Sequence, residues 1–491
     1  MSADPRTRAN GQTSSIRFGF SHRQLRLPLY MYEPGTASGH HPYTAPIQCN
    51  HRFHPNNLMA PKFDVTVIGA GMAGLVAARE LTQKGYSVML LEARDRVGGR
   101  TYRQRGFGGE LELGGAYIHW TQPNIWYEVQ RHGLTVQAPM EDGKAYWLAD
   151  GKVHSGSSKD FYGAVGPLLA RLFGDARARF PLPMDPTALH QSDIEKESIE
   201  DRINSLNLSL YERDLLEGAL SGVVHSYKEQ GIAQLLHAVA TSFGDFQAFF
   251  ETAGNWAIHG GTKKLAHAIL AESTAELRLS TPVSALEDDG FGVTITTRAG
   301  EKIQARAAIL AIPLNTLSDV KIIPELTPAA RTIIDRKNPV LAHKIWIRVK
   351  GEIEPFSIIS PAGKSPINAA RTEKRHDGDT LVLCMCSDAA SINPNDCAAV
   401  QAALRKFLPD IEVVDTACHD WVADEFSKGG WMMHRPGTFT GSASEIRKAH
   451  GNIRFAGSDL SATAPGSIEG ALASGAIAAR DLSKSLTKGP R

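Results

Sequence analysis

FDVTVIGAGMAGLVAARELTQKGYSVMLLEARDRVGGR, from Phe63 to Arg100, decides the fold. Val65 to Ile68 are a short apolar, β-branched strand, and Leu75, Ala78 and Leu81 recur at helical period after a glycine turn. Gly69, Gly71 and Gly74 stand in GxGxxG spacing. Their separate tasks are a tight turn, close approach of backbone N–H groups to a pyrophosphate, and close packing of helix on sheet. Ser87 to Leu91 form a second strand that ends in Glu92, where a carboxylate accepts hydrogen bonds from an adenosine ribose. Strand, glycines, helix and acid are in register, so a dinucleotide-binding α/β unit is expected.

RDRVGGR, with Gly98, Gly99 and Arg100, follows that acid directly, and a nicotinamide enzyme has no need of it there. EARDRVGGRT resembles the FAD signature of the flavin monoamine oxidase family, which includes monoamine, polyamine and L-amino-acid oxidases. The resemblance implies that Arg100 lies by the pyrophosphate, with Gly99 in the same turn, and Arg94 by the adenosine. A second string, GNIRFAGSDLSATAPGSIEGALASGAIAARDL from Gly451 to Leu482, is similar to the family's C-terminal flavin motif. Gly470, Ser474 and Ala478, with Ala471, Gly475 and Ala479, give a helix face of small residues that can pack tightly. That helix is expected to begin near Pro465 and Gly466 and to point its unpaired N–H groups at the isoalloxazine ring. In the FAG segment holding Gly457, the resemblance implies that Asp459 bonds the ribityl chain and that the Ile468 backbone contacts flavin. It places Gly114 and Gly115 of ELELGGAYIHW beside the flavin and Val283 against the adenine.

The implied architecture is a two-domain α/β (α+β) FAD-dependent oxidase. Its Rossmann-like FAD-binding domain is assembled from 61–119, 255–325 and 440–484, and its mixed sheet-plus-helix substrate domain from 120–254 and 326–439. HGGTKKLAHAIL reads as a helix, LRLSTPVSALEDD with VTITT as a hairpin, and KIQARAAILAIPL as the strand that returns to the sheet. Segment 120–254 reads as helical, from apolar spacing in LLEGAL and AQLLHAVATSF.

For chemistry the resemblance implies that Lys344, in NPVLAHKIWIRVKG, holds a water at flavin N5. Taken without it, the same lysine could simply snorkel from a strand. In DWVADEFSKGGWMMHRPG, Trp421 matches the flavin-edge segment. Trp431 stands where some monoamine oxidases carry a cysteine linked to FAD, so the cofactor is expected to be noncovalent. Many members face the flavin with two aromatic rings; here Trp431 supplies one and Ser467, in APGSIEGA, stands at the other. A wider or more polar pocket is expected. GGAYIHWTQPNIWYE, with His119 and Trp120, resembles the bacterial nicotine and pseudooxynicotine amine oxidases; His119 reads as a hydrogen-bonded structural histidine in the substrate region. The expected reaction oxidises an amine to an imine that hydrolyses to a carbonyl, with O2 or an electron-carrier protein as acceptor and H2O2 released in the oxygen case. Alternatives are an L-amino-acid oxidase, which needs an arginine for the substrate carboxylate, a desaturase or dehydrogenase with another acceptor, and a silent flavoprotein scaffold. A chromatin-binding demethylase would need a docking module that the chain has no room for.

The rest of the 491 residues sets bounds. Lys+Arg 53 against Asp+Glu 52 leaves a charge of +1, which is no footprint for nucleic acid. No apolar run reaches membrane-span length, and five cysteines without metal or disulfide spacing suit a reducing, cytoplasmic setting. Residues 1–60 read as a disordered arm, with Met59 near its end a candidate natural start. The histidines there, His40, His41, His51 and His54, lack ligand-spaced partners, so no metal is expected. A small amine is the expected ligand, and a homodimer is compatible.

Overall fold

The computed structural model describes residues 62–140, 143–188, 192–254 and 256–487; the N-terminal arm and its histidines lie outside them. Strand β1 (Phe63–Ile68), helix α1 (Met72–Gln83) and strand β2 (Val88–Leu91) follow the reading of the opening string. Buried on both faces from Val65 to Ile68, β1 is fit for the middle of a parallel sheet. It pairs in parallel with β2 on one side and with the strand Lys302–Leu310 on the other. The sheet runs Glu276–Arg278, β2, β1, Lys302–Leu310, Val293–Thr297, Val283–Asp288, Lys321–Ile323, and Ile453–Phe455 also pairs with Lys302–Leu310. Val283–Asp288 and Val293–Thr297 form the expected antiparallel hairpin, and HGGTKKLAHAIL contains the helix Thr262–Ala271.

Glycines set how closely these layers approach. A Cβ on Gly74 would lie 1.8 Å from the Gly69 carbonyl oxygen, so only glycine lets α1 rest on the turn below it. The C-terminal helix Ile468–Leu486 crosses α1 where a Cβ on Gly475 would lie 2.2 Å from the Ala73 carbonyl oxygen. The small-residue face read from the sequence thus packs on α1. Its helix begins at Ile468, capped by Ser467; Pro465 and Gly466 belong to the preceding loop rather than the first turn. Gly466 has φ +78°, and a Cβ there would lie 2.6 Å from the Met432 carbonyl oxygen.

A second, seven-stranded sheet runs Val413–Cys418, His343–Val349, Asp379–Cys386, Ala369–His376, Phe356–Ile359, Lys144–Ala149, Lys152–Ser157. Its last two strands correct the purely helical reading of 120–254. Lys144–Ala149 and Lys152–Ser157 are a hairpin about Asp150 and Gly151, both left-handed at φ 49° and 68°, the Asp-Gly signal of a tight two-residue turn. The remainder of the segment is mostly helical, including Leu210–Leu220 and Ile232–Thr241. Among the described residues no helix is long and apolar enough to cross a membrane, and no group of three or more His, Cys, Asp or Glu is placed to hold a metal ion.

Candidate active site

A cavity of about 1560 Å³ is lined by strands of both sheets and by the helices above them. That exceeds the ~300–1,000 Å³ of an ordinary small-ligand site, so it has room for a long cofactor and a substrate together. At one end its wall is Gly69, Gly71, Glu92, Arg94, Gly98, Gly99, Arg100 and Val283. Gly71 caps α1 with extended backbone and no side-chain hydrogen bond, leaving first-turn N–H groups open. Gly98 and Gly99 have φ of +101° and +59°, and a Cβ on Gly99 would lie 3.0 Å from the Gly71 Cα. Main chain rather than side chain therefore faces this part of the cavity. The Glu92 carboxylate accepts from the Ala70 and Arg94 amides at 2.7 and 2.9 Å, which fixes it at the end of β2. Arg94 donates to Asp424 at 2.7 Å and to Ser427 at 3.0 Å.

Midway, Arg100 donates to the Gly430 carbonyl at 2.7 Å, to the Ser458 hydroxyl at 2.8 Å and to Asp459 at 2.5 Å. Trp421 donates its indole N–H to the Leu113 carbonyl at 2.8 Å, and Gly114, Gly115, Gly457 and Ile468 continue the wall.

At the far end Lys344, buried on the strand His343–Val349, donates to the Gly114 carbonyl at 2.9 Å. Burial lowers its pKa to about 8, against the opposing pull of Glu112 and Glu373. Its ammonium nitrogen lies 5.3 Å from the centre of the Tyr117 ring, and the Arg371 guanidinium lies 4.9 Å from the same ring. Tyr117 and Arg371 donate to one oxygen of Glu373 at 2.8 and 2.6 Å. Burial raises the Tyr117 phenol above its ordinary range, so it is a donor and not a base. Trp431 is held by a 3.0 Å bond from its indole N–H to the Val223 carbonyl. The cavity extends from there between apolar side chains, Leu169, Leu235, Phe249 and Phe250 among them.

The family described as flavin containing amine oxidoreductase matches residues 72–483. The chain belongs to that family. It is therefore an oxidoreductase acting on amine donors, and the family carries a flavin. A pseudooxynicotine dehydrogenase from a Pseudomonas species is 34% identical over 421 residues, 84% of each chain. A nicotine dehydrogenase from Pseudomonas putida is 33% identical over 431 residues, 87% of this chain and 89% of that one. The fold is that of a solved putrescine oxidase triple mutant, with a TM-score of 0.76 at 21% identity over 86% of this chain and 99% of the other. The family, its nicotine-oxidising branch and the fold class agree with the motifs.

In this flavin oxidoreductase most of the expected site residues line the cavity, and three do not. Trp120 is 43% exposed, stacked on His119 at 3.8 Å and edge-on to Trp256 at 5.2 Å; it backs the wall rather than forming it. Asp459 is buried behind Arg100 and also accepts from the Leu314 amide at 2.9 Å. Its carboxylate orients the arginine from behind the wall. Gly74 lies under the turn, where it packs helix on sheet as read. His119 is on the wall, bonded to Thr121 at 2.7 Å and 3.4 Å from Glu251. Ser467 is on the wall too, but its hydroxyl donates to the Ala464 carbonyl at 2.7 Å and accepts from the Gly470 amide at 3.0 Å. It therefore adds space to the pocket rather than a free polar group. Tyr117, Arg371 and Glu373 went unread in the sequence; only the alternation of AARTEKRH hinted that Arg371 and Glu373 share a strand face.

Proposed function

We propose that this chain binds FAD noncovalently and oxidises an amine to an imine that hydrolyses to a carbonyl product, with O2 as final acceptor and H2O2 as its product. The observation that carries the reading is one continuous cavity joining the glycine-lined mouth of α1 and Glu92 to Lys344, Trp421 and Trp431. The residues present fit the cofactor. Gly71 and Gly99 leave a side-chain-free cradle at open helix N–H groups, which suits a pyrophosphate. Glu92 is anchored with lone pairs to spare for ribose hydroxyls, and Arg100 stands between the two ends. None of the four described cysteines lines the cavity, in keeping with noncovalent binding. All strands of the first sheet fall within 61–119, 255–325 and 440–484, which we assign as the FAD-binding domain. Those of the second fall within 120–254 and 326–439, assigned to substrate.

When bound, FAD supplies a two-electron acceptor for the equivalent of a hydride from the carbon beside the amine nitrogen. The chain does the positioning. Trp431, fixed through Val223, offers an aromatic face on which an amine can pack, worth about 0.5–2 kcal/mol. We assign Lys344 to hold and orient a water at the reacting edge. Its depressed pKa lets it change protonation state near neutral pH, as a proton-handling group must. Trp421 and the Gly114 carbonyl fix the wall on which Lys344 rests.

A second reading concerns the acceptor only. The two relatives named as dehydrogenases favour an electron carrier over O2. The test is anaerobic mixing with a panel of primary, secondary and cyclic tertiary amines, following loss of flavin colour, then re-addition of either O2 or a one-electron carrier. Bleaching by amines with fast recovery in O2 supports the first reading, and recovery only with the carrier supports the second. No bleaching by any amine would end both. Acid precipitation should leave a colourless pellet.

A further inference from the structure

At the Glu92 end the cavity has an outer wall that belongs to neither sheet. Residues 421–429 follow the strand Val413–Cys418 and close on themselves, the Gly429 amide donating to the Trp421 carbonyl at 2.9 Å. The return turn holds Lys428 and Gly429 at φ 53° and 150°. A short loop whose ends meet is a compact unit of its own. Asp420 and Asp424 brace it, accepting from the Val422, Ala423 and Phe426 amides at 3.0, 2.9 and 2.9 Å. What fastens it across the cavity is polar. Arg94 donates to Asp424 and Ser427, Asn315 donates to the Lys428 carbonyl at 2.7 Å, Arg298 pairs with Glu425 at 2.9 Å, and Lys428 pairs with Asp319 at 2.6 Å. The outside partners Arg94, Arg298, Asn315 and Asp319 all lie in segments assigned above to the FAD-binding domain. Among the described residues, no side chain of 422–428 joins an apolar core cluster. Phe426 lines the cavity instead, with Glu425, and the guanidinium carbons of Arg94 and Arg298 lie 5.5 and 5.2 Å from its ring centre. The Arg298 amide bonds to the Pro282 carbonyl at 2.7 Å, which sets this ring near the part of the wall that Glu92, Arg94 and Val283 form.

We propose that residues 421–429 are a latch on the cofactor site: Phe426 covers the adenosine half of the dinucleotide, and the Arg298–Glu425 and Lys428–Asp319 pairs set how fast the dinucleotide escapes. This rests on the FAD reading of the cavity. Three observations support it. Elsewhere at this end the wall is glycine main chain, so Phe426 supplies the broad apolar face that a flat base needs. The loop is held by ion pairs and hydrogen bonds rather than by apolar burial, so it can part from its partners without opening a core. Those ties are unequal. Arg298, Glu425 and Asp319 are exposed and Lys428 half-buried, so water and salt compete for both outer pairs. Arg94 and Asp424 are set more deeply, and Trp421 is anchored by its indole bond to the Leu113 carbonyl. The inner edge is therefore the pivot and the outer pairs are the fastenings. The loop takes no part in electron transfer.

The rate of FAD release from the holoprotein tests it, read as the rise of free-flavin fluorescence after dilution. It is measured in about 0.01 M and about 1 M NaCl, between which the screening length falls from about 30 Å to about 3 Å. The wild type should release FAD about five- to tenfold faster at high salt, because both exposed pairs weaken together. A double variant, Glu425→Gln with Asp319→Asn, should release it fast already at low salt and change little on adding more. That variant separates the latch from simple screening of the pyrophosphate, which would leave the salt effect in place. Phe426→Ala should release FAD about tenfold faster than the wild type at either salt, the usual weight of an aromatic side chain against a base. Phe426→Leu, which keeps apolar bulk if the alanine variant folds poorly, should give about threefold. Melting curves in excess FAD check that each variant is folded. A wild-type rate in folded Phe426→Ala or Phe426→Leu, or an undiminished salt effect in the double variant, overturns the latch while the FAD reading stands. Soluble wild-type protein that takes up no FAD ends the FAD reading, and the latch with it.

Discussion

At the Glu92 end the cavity wall is main chain, with Gly69, Gly71, Gly98 and Gly99 supplied by 31 consecutive residues (69 to 99). At the Lys344 end it is side chains, and Tyr117, Lys344, Arg371 and Trp431 arrive from four separate segments. A wall of backbone has little slack: a Cβ on Gly69 would lie 2.6 Å from the Ala311 carbonyl oxygen, and one on Gly98 3.0 Å from that of Thr101. A wall of side chains can absorb a change in shape, but it holds buried charge that must stay paired. The first end should therefore fail by losing the fold and the cofactor, and the second by losing rate, selectivity or tolerance of pH.

The largest effect tests the rigid end. Gly74→Ala would put a methyl 1.8 Å from a backbone oxygen, and Gly475→Ala one at 2.2 Å. Neither neighbour is a flexible side chain, so α1 or the C-terminal helix must move. Overpacking of this kind costs about 1–3 kcal/mol and sometimes more; with both contacts on main chain we expect the upper end, at least about 3 kcal/mol. Soluble yield, flavin absorbance and melting temperature should all fall. Gly85→Ala is the control: φ is +87° there with nothing within 4 Å, and the cost should be about 1 kcal/mol. Full flavin occupancy in Gly74→Ala would show that the turn carrying the backbone wall has slack after all.

Buried titratable groups distinguish the substrate side. His237, on the helix Ile232–Thr241, and His434 pack against Phe439 with ring centres 5.1 and 5.2 Å away. Burial lowers His237 to about 4 and His434 to about 3, with the nearby Arg447 charge adding to the effect. Both are neutral in the folded chain, whereas the unfolded chain takes up protons from about pH 6.5 downward. Between pH 6.5 and the folded values the unfolded state binds more protons. Stability is therefore complete above about 6.5 and declines as pH falls, by up to about 1.4 kcal/mol per pH unit for each group. Melting temperature against pH should show the decline, and His434→Gln should flatten it. Equal slopes in the two proteins would place the acid sensitivity elsewhere.

The same contrast explains what the sequence could reveal. GxGxxG, the acid after β2 and the following RDRVGGR lie on one continuous stretch, so spacing alone brings them to one place. Lys344, Trp431 and Trp421, picked out through family motifs, all line the cavity. Tyr117 was not legible, because its meeting with Arg371 and Glu373 joins segments 256 residues apart, and no local pattern encodes that. Asp459 and Trp120 stand one layer away from the cavity wall. A motif gives chain position, but burial behind Arg100 or on the outside of His119 is a matter of side-chain packing. The Asp150-Gly151 turn was a local signal, masked by helical spacing on either side.

Lys344 sharpens the comparison on the side of rate. Lys344→Met should preserve the fold, since it removes a charge that burial already disfavours. Stopped-flow traces should show reoxidation slowed by about 100-fold, equivalent to about 2.7 kcal/mol, with reduction by amine changed much less. In the wild type the reoxidation rate should fall as pH rises through about 8, where the lysine loses its charge, and the variant should lack that inflection. Both half-reactions unchanged would make Lys344 a packing residue on the strand His343–Val349.

The smallest expected effect lies where the two kinds of wall meet. Ser467 belongs to the backbone end as the cap of Ile468–Leu486, and to the substrate end by its place on the cavity wall. Its hydroxyl is used locally, between the Ala464 carbonyl and the Gly470 amide, so substrate should not depend on it. Ser467→Ala removes the cap and should cost about 1 kcal/mol of stability, while kcat/KM for any amine stays within about twofold. Ser467→Tyr loses the same cap and fills space opposite Trp431, so it should favour small arylalkyl amines over bulky ones. The measurement is kcat/KM over a size-graded amine series, beside a melting curve for each variant. A uniform change across the series in Ser467→Tyr would mean that residue 467 does not face the substrate. A large, amine-specific loss in Ser467→Ala would mean that its hydroxyl leaves the cap to bind substrate, and the division between backbone and side-chain walls would fail at its boundary.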